Sequence, residues 1–139
     1  MKREWQQVTL DGVRPQWAGI YVTMNRKGEI VMNRVTYQKL GEPDGIALFF
    51  DKVNSCIGLQ PTSRQLRNAF PVRAYGRHGG RCVRAFKLMQ EHRIRVPETL
   101  EFGDAEIDED GILVLNLRTA RVSNRAINHP SKRDRAEIA

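Results

Sequence analysis

The closest pairing of reactive side chains is His78 with Cys82, four residues apart in Arg77-His78-Gly79-Gly80-Arg81-Cys82. A thiolate nucleophile needs a base within hydrogen-bond reach and usually a third group to orient that base. The neighbouring residues offer no such group. Asp104, Glu106 and Asp108 alternate, which on a strand sets three carboxylates on one face. Those carboxylates suit a hard cation, but the stretch lacks the central glycine and the bidentate glutamate of a calcium loop. A solvated strand face is the expectation. Cys56, Cys82, His78, His92 and His129 have no zinc-ligand spacing, and no Gly-x-Gly-x-x-Gly or Walker pattern occurs. The expectation is therefore no catalytic residue, no metal and no cofactor, with both thiols acting as small buried hydrophobes in a reducing cytoplasm.

What remains is charge. The chain has 139 residues, 40% of them hydrophobic and 28% charged, and a formal charge of +7. That size fits one compact domain or two very small ones. No apolar run is long enough to cross a bilayer, and no apolar stretch follows the N-terminal Met-Lys-Arg-Glu-Trp, so neither a membrane span nor a secretory signal is expected. Between Arg64 and Arg95 nine cations face one carboxylate, Glu91. Between Glu98 and Asp110 seven carboxylates face no cation. Such blocks can neutralise one another across a sheet or a subunit contact. Alternatively the basic block forms a cationic face that binds phosphates and releases counterions. Arg outnumbers Lys 17 to 6, and guanidinium forks grip phosphates and guanine edges at two points.

Short elements must position these charges. Ile20 to Met24 reads as a strand, Asn25-Arg26-Lys27-Gly28 as a turn and Glu29 to Met32 as a second strand. Asn33 can cap a helix over Arg34 to Leu40, which Gly41 and Pro43 would stop. Strands follow at Ile46 to Phe50 and Cys56 to Leu59. Pro61 to Phe70 reads either as a short helix or as an extended linker. Val72 to Tyr75, a turn at Arg77 to Gly80, Arg81 to Val83 and a helix over Ala85 to His92 come next, with Phe86, Leu88 and Met89 available for packing. Phe102 to Ile107 is expected as a strand, Asp108 to Gly111 as a hairpin turn and Ile112 to Leu117 as the clearest strand. Trp5 and Trp17 are possible anchors.

The order of elements repeats. Gly28 to Met32 falls on Gly80 to Arg84 at a spacing of 52 residues, the first helix on the second, Pro43 on Pro97, and Asp51 on Asp108. The run from Val22 to Asn33, with Leu40-Gly41 and Asp44-Gly45-Ile46 after it, resembles the opening of the AbrB-type swapped-hairpin DNA-binding family. Two copies in one chain are similar to the MraZ-like tandem arrangement. The likeness covers about residues 20–51 and, more weakly, 72–117. It departs at Glu29, where the family has a basic residue, and at Asn33, where it has proline.

The resemblance implies a β-rich α+β domain of two strand–helix–strand swapped-hairpin-like units. The expected division is an N-terminal segment (1–17), a first unit (18–61), a connector (62–71), a second unit (72–121) and a mobile basic tail (122–139). It implies a cytoplasmic, non-enzymatic DNA-binding regulator or accessory protein, with homodimerisation possible. Arg26, Lys27, Arg34 and Lys39, with Arg77, Arg81, Arg84 and Lys87 from the second half, would approach duplex DNA. Reversing Arg81 and Arg84 is expected to abolish binding without unfolding the chain. The alternatives are an assembly module whose charged blocks pair with partners and an RNA-binding protein. The nucleic-acid reading requires both glycine turns to gather cations on a shared surface. If the turns around Lys27 and Gly79 point in opposite directions, or the arginines are locked onto the carboxylates of the later strands, that shared-surface reading collapses.

Overall fold

The computed structural model describes residues 3–7 and 19–123. Most of the tail expected at 122–139 lies outside them, as does Trp17. The described residues form a mostly β domain with two antiparallel sheets and two short helices.

The first hairpin joins β1 (Val22–Met24) to β2 (Glu29–Met32), with Val22 facing Met32 and Met24 facing Ile30. These four side chains are fully or almost fully buried. They share one face because directly opposed residues of an antiparallel pair do so. Helix α1 (Arg34–Lys39) starts at Asn33, as its capping chemistry predicts. Asn33 Oδ1 accepts the Thr36 N–H at 2.9 Å and the Thr36 hydroxyl at 2.6 Å, and its Nδ2 donates to the Gly19 carbonyl at 2.7 Å. The fully buried Thr36 Oγ1 in turn accepts the Tyr21 N–H at 3.1 Å. One asparagine thus ties the chain before β1 to the start of α1. Asn33→Ala removes the cap and leaves buried polar partners unmatched. A loss of about 2 kcal/mol is expected, read as a lower urea midpoint at unchanged slope.

The second sheet is built on β3 (Gly45–Asp51) and β4 (Cys56–Thr62), paired over seven residues. Ile46, Ile57, Leu59, Leu113 and Leu115 turn inward and are fully buried. After β4, residues 63–68 form turns, not the short helix that the sequence allowed, and Leu66 is exposed. Pro61 lies inside β4, and Pro71 closes β5 (Phe70–Pro71), which pairs with β3. Too few residues lie between them for a helix with an apolar face to bury.

The second hairpin joins β6 (Arg73–Tyr75) to β7 (Gly80–Arg84), and α2 (Phe86–His92) follows. Leu88 and Met89 enter the core, and the His92 ring stacks at 4.6 Å on Phe50 of β3. Phe86, expected to pack, stays 55% exposed.

The strand expected over Phe102 to Ile107 is two short strands in different sheets. β8 (Leu100–Glu101) joins β1, and β9 (Glu106–Ile107) joins β10 (Leu113–Asn116). Phe102 is buried between them, and its carbonyl accepts the Ala105 N–H in a turn that redirects the chain. Val122, placed in the tail by sequence, belongs to β11 (Arg121–Val122) beside β8. Trp5, read from sequence as a possible anchor, is 82% exposed.

The sheet orders are β11-β8-β1-β2-β7-β6 and β5-β3-β4-β10-β9. The two halves therefore meet strand to strand in both sheets. β2 pairs with β7 in the first and β4 with β10 in the second.

Candidate nucleic-acid interface

The first glycine turn is held from within. Asn25 Oδ1 accepts the N–H groups of Lys27 and Glu29, both at 3.0 Å, and its Nδ2 donates to Glu29 Oε1 at 3.0 Å. The carboxylate that departs from the family pattern is thus engaged by its own hairpin, while Arg26 and Lys27 extend into solvent. Gly28 adopts φ +84, and its carbonyl accepts the Ala85 N–H at 2.7 Å. A Cβ there would stand 2.9 Å from Phe86 Cα. The turn of the first half therefore rests on α2 of the second half. That contact brings Arg26 and Lys27 near Arg84, which faces Glu29 across the ladder, and Lys87, all four exposed.

The second turn repeats the arrangement with the halves exchanged. Gly79 has φ +82, and a Cβ on it would lie 3.0 to 3.3 Å from the aliphatic carbons of Arg34, the first residue of α1. Arg34, and Arg77 two residues before Gly79, are both exposed. Arg81 is a different case. It is half-buried, its Nη1 donates to the Gly79 and Gly80 carbonyls at 3.0 and 2.9 Å, and its guanidinium lies 4.7 Å above the Tyr37 ring. Tyr37 itself donates to the Pro43 carbonyl at 2.9 Å. Arg81 holds the turn together. Reversing its charge would disturb folding, contrary to the expectation from sequence.

Lys39 joins neither group. It lies five residues beyond Arg34 on α1, rotated by about 140° around the helix. The eight expected residues thus divide into Arg26, Lys27, Arg84 and Lys87 at one turn, Arg34 and Arg77 at the other with Arg81 beneath them, and Lys39 apart.

The two groups do not form one continuous patch. Because β2 and β7 are antiparallel, their turns lie at opposite ends of the ladder. Extending the register places Gly28 opposite Ala85 and Arg34 opposite Gly79. Six residue steps separate these points, about 20 Å at about 3.3 Å per residue.

Among the described residues, no Lys or Arg comes within ion-pair distance of a carboxylate. The basic block is not locked onto the acidic one. Glu101 accepts the Tyr21 hydroxyl at 3.4 Å, and Asp108 Oδ1 accepts the N–H groups of Asp110 and Ile112, both at 2.9 Å. Only Glu106 of the three alternating acids lies on a strand, and no described group of His, Cys, Asp or Glu is arranged to hold a metal ion.

His78 is exposed and Cys82 buried. Burial pushes the Cys82 thiol up, with a smaller push from Glu29 opposed by Arg84 and Arg73. The thiol is therefore held in its less nucleophilic form. Cys56, expected to be buried, is half-exposed on the outer side of its sheet. No described helix is long and apolar enough to cross a membrane. No protein-family model, curated protein or solved structure matches this chain.

Sequence reasoning missed one component of the first group, the exposed side chain of Phe86, whose backbone lies against the Gly28 turn. Helical phase could have found it. Ala85, Leu88, Met89 and His92 form the stripe facing the protein, and Phe86 sits about 100° away from Ala85.

Proposed function

We propose that the protein is a cytoplasmic, non-enzymatic DNA-binding regulator or accessory protein of swapped-hairpin type, holding duplex DNA at two basic points. The observation that carries this reading is the reciprocal packing of the turns. Gly28 rests on the first residue of α2, and Gly79 on the first residue of α1. Each half thereby completes the cationic cluster of the other. The local two-fold axis of an antiparallel pair stands perpendicular to the sheet. It relates one turn to the other, so the turns project from opposite ends of the ladder and point in opposite directions along it. The single shared surface expected from the sequence is not formed, and the proposed grip is at two separate points.

Two cationic points about 20 Å apart exceed the width of one major groove, about 12 Å, so they would meet backbone phosphates beyond its two rims. Phosphate contacts from Arg26, Lys27, Arg77 and Lys87 would set affinity and position, while Arg34 and Arg84 supply forks for base edges. The acidic segment Glu106 to Asp110 would face away from the duplex. Homodimerisation would extend the contact along the DNA.

Competition between nucleic acids tests this reading. A labelled duplex bound by the full chain should be displaced by unlabelled duplex at much lower concentration than by single-stranded RNA of equal length. Equal or better displacement by RNA would replace the DNA reading with the RNA one.

One observation favours the assembly reading. Phe49, Ile112 and Val114 share the outer side of the second sheet around Gly58, with Phe49 54% exposed. A concentration-dependent mass increase in light scattering without nucleic acid, lost in Phe49→Ser, would support it.

A further inference from the structure

The two basic clusters are not chemically equivalent. Where Arg34 packs against the Gly79 turn, the corresponding residue against the Gly28 turn is Phe86. One cluster therefore presents a guanidinium and the other a phenyl ring. The ring is 55% exposed although the core takes Leu88 and Met89 from the same helix. Its backbone is fixed by contact with the turn and by the Ala85-to-Gly28 hydrogen bond at 2.7 Å.

A large exposed apolar side chain next to exposed Lys87, two residues after exposed Arg84 and with the Arg26-Lys27-Gly28 turn against its backbone, is poorly suited to meeting another protein's apolar core. The surrounding charge favours an anionic partner that also offers apolar surface. Duplex DNA is such a partner, because its phosphates flank bases and the thymine methyl projects into the major groove. We infer that Phe86 makes an apolar contact with a thymine methyl in the major groove while Arg26, Lys27 and Lys87 hold the flanking phosphates. The contact gives the bound protein a direction along DNA, with the Phe86 end at A·T pairs and the Arg34 end free to take guanine. This inference rests on the duplex-DNA reading above.

The test uses the full chain, an A·T-rich duplex, and the same duplex with uracil replacing thymine, which deletes only the methyl groups. The wild type should bind the uracil duplex about threefold to tenfold more weakly. Phe86→Ala should bind both duplexes equally, at about the strength of wild type on uracil DNA, with an unchanged salt dependence. Phe86→Leu should restore part of the thymine preference. Thermal melting of the variants shows that the change is not one of folding. A wild type that binds both duplexes equally, or a Phe86→Ala protein that keeps the thymine preference, overturns the inference and leaves the duplex-DNA reading standing. If Phe86→Ala weakens binding only to single-stranded DNA, the ring stacks on unpaired bases and the inference is again overturned. Failure of the wild type to bind either duplex removes the underlying reading, and the inference with it.

Discussion

Gly28→Ala is expected to destabilise the fold by about 3 kcal/mol, whereas Gly41→Ala should cost only about 1 kcal/mol. Both glycines have left-handed backbones, with φ +84 and +88. The strain of placing an L side chain there is common to both. The space around them differs. A Cβ on Gly28 would approach Met89 Sδ to 2.8 Å and the backbone of Phe86 to 2.9 and 3.0 Å, whereas nothing stands within 4 Å at Gly41. The methionine can move, but the backbone at the start of α2 cannot move without releasing the Ala85 hydrogen bond to Gly28. The difference between the two variants therefore isolates the contact between halves that builds the first cluster. Urea midpoints of both variants, at matched slopes, measure it. Equal losses would mean that the turn and the second helix do not need each other.

The combined substitution Lys27→Glu with Lys87→Glu should weaken duplex binding about 100-fold at low salt and reduce the salt slope by about two. Both side chains are exposed, and among the described residues no contact depends on their ammonium heads, so stability should stay within about 0.5 kcal/mol. Arg77→Glu at the other cluster should act independently. Sites about 20 Å apart are beyond the range at which effects usually couple, so the triple variant should show the product of the separate losses. Fluorescence anisotropy on one labelled duplex measures all three. An effect from one cluster alone would reduce the proposed two-point grip to a single point.

Local signals made much of the framework legible in the sequence. The β2 strand, the Asn33 cap, the Asn25-to-Gly28 turn and the Asp108-to-Gly111 turn each depend on residues a few positions apart. The 52-residue spacing laid Gly28 to Met32 on Gly80 to Arg84, and the strands in those two stretches pair in one sheet, an arrangement the spacing itself does not require. What sequence could not give was set by long-range contacts. Phe102 reads as a strand residue, yet its burial bends the chain from one sheet to the other. Arg81 looks like its exposed neighbours until Tyr37 and the Gly79 and Gly80 carbonyls come beneath it. The division of the cations into two groups follows from strand direction, which no short motif specifies. Phe86 was hidden for the opposite reason, since an apolar residue in a helical stretch reads as core until the phase of the helix is fixed.

Duplex affinity measured against salt tests the central claim most directly. With Arg26, Lys27, Arg77 and Lys87 exposed and placed on phosphates, full engagement predicts a log–log slope of about −4 between about 50 and 200 mM salt. Absence of duplex binding at the lowest salt, or a slope near zero, would contradict the claim that these two clusters grip DNA.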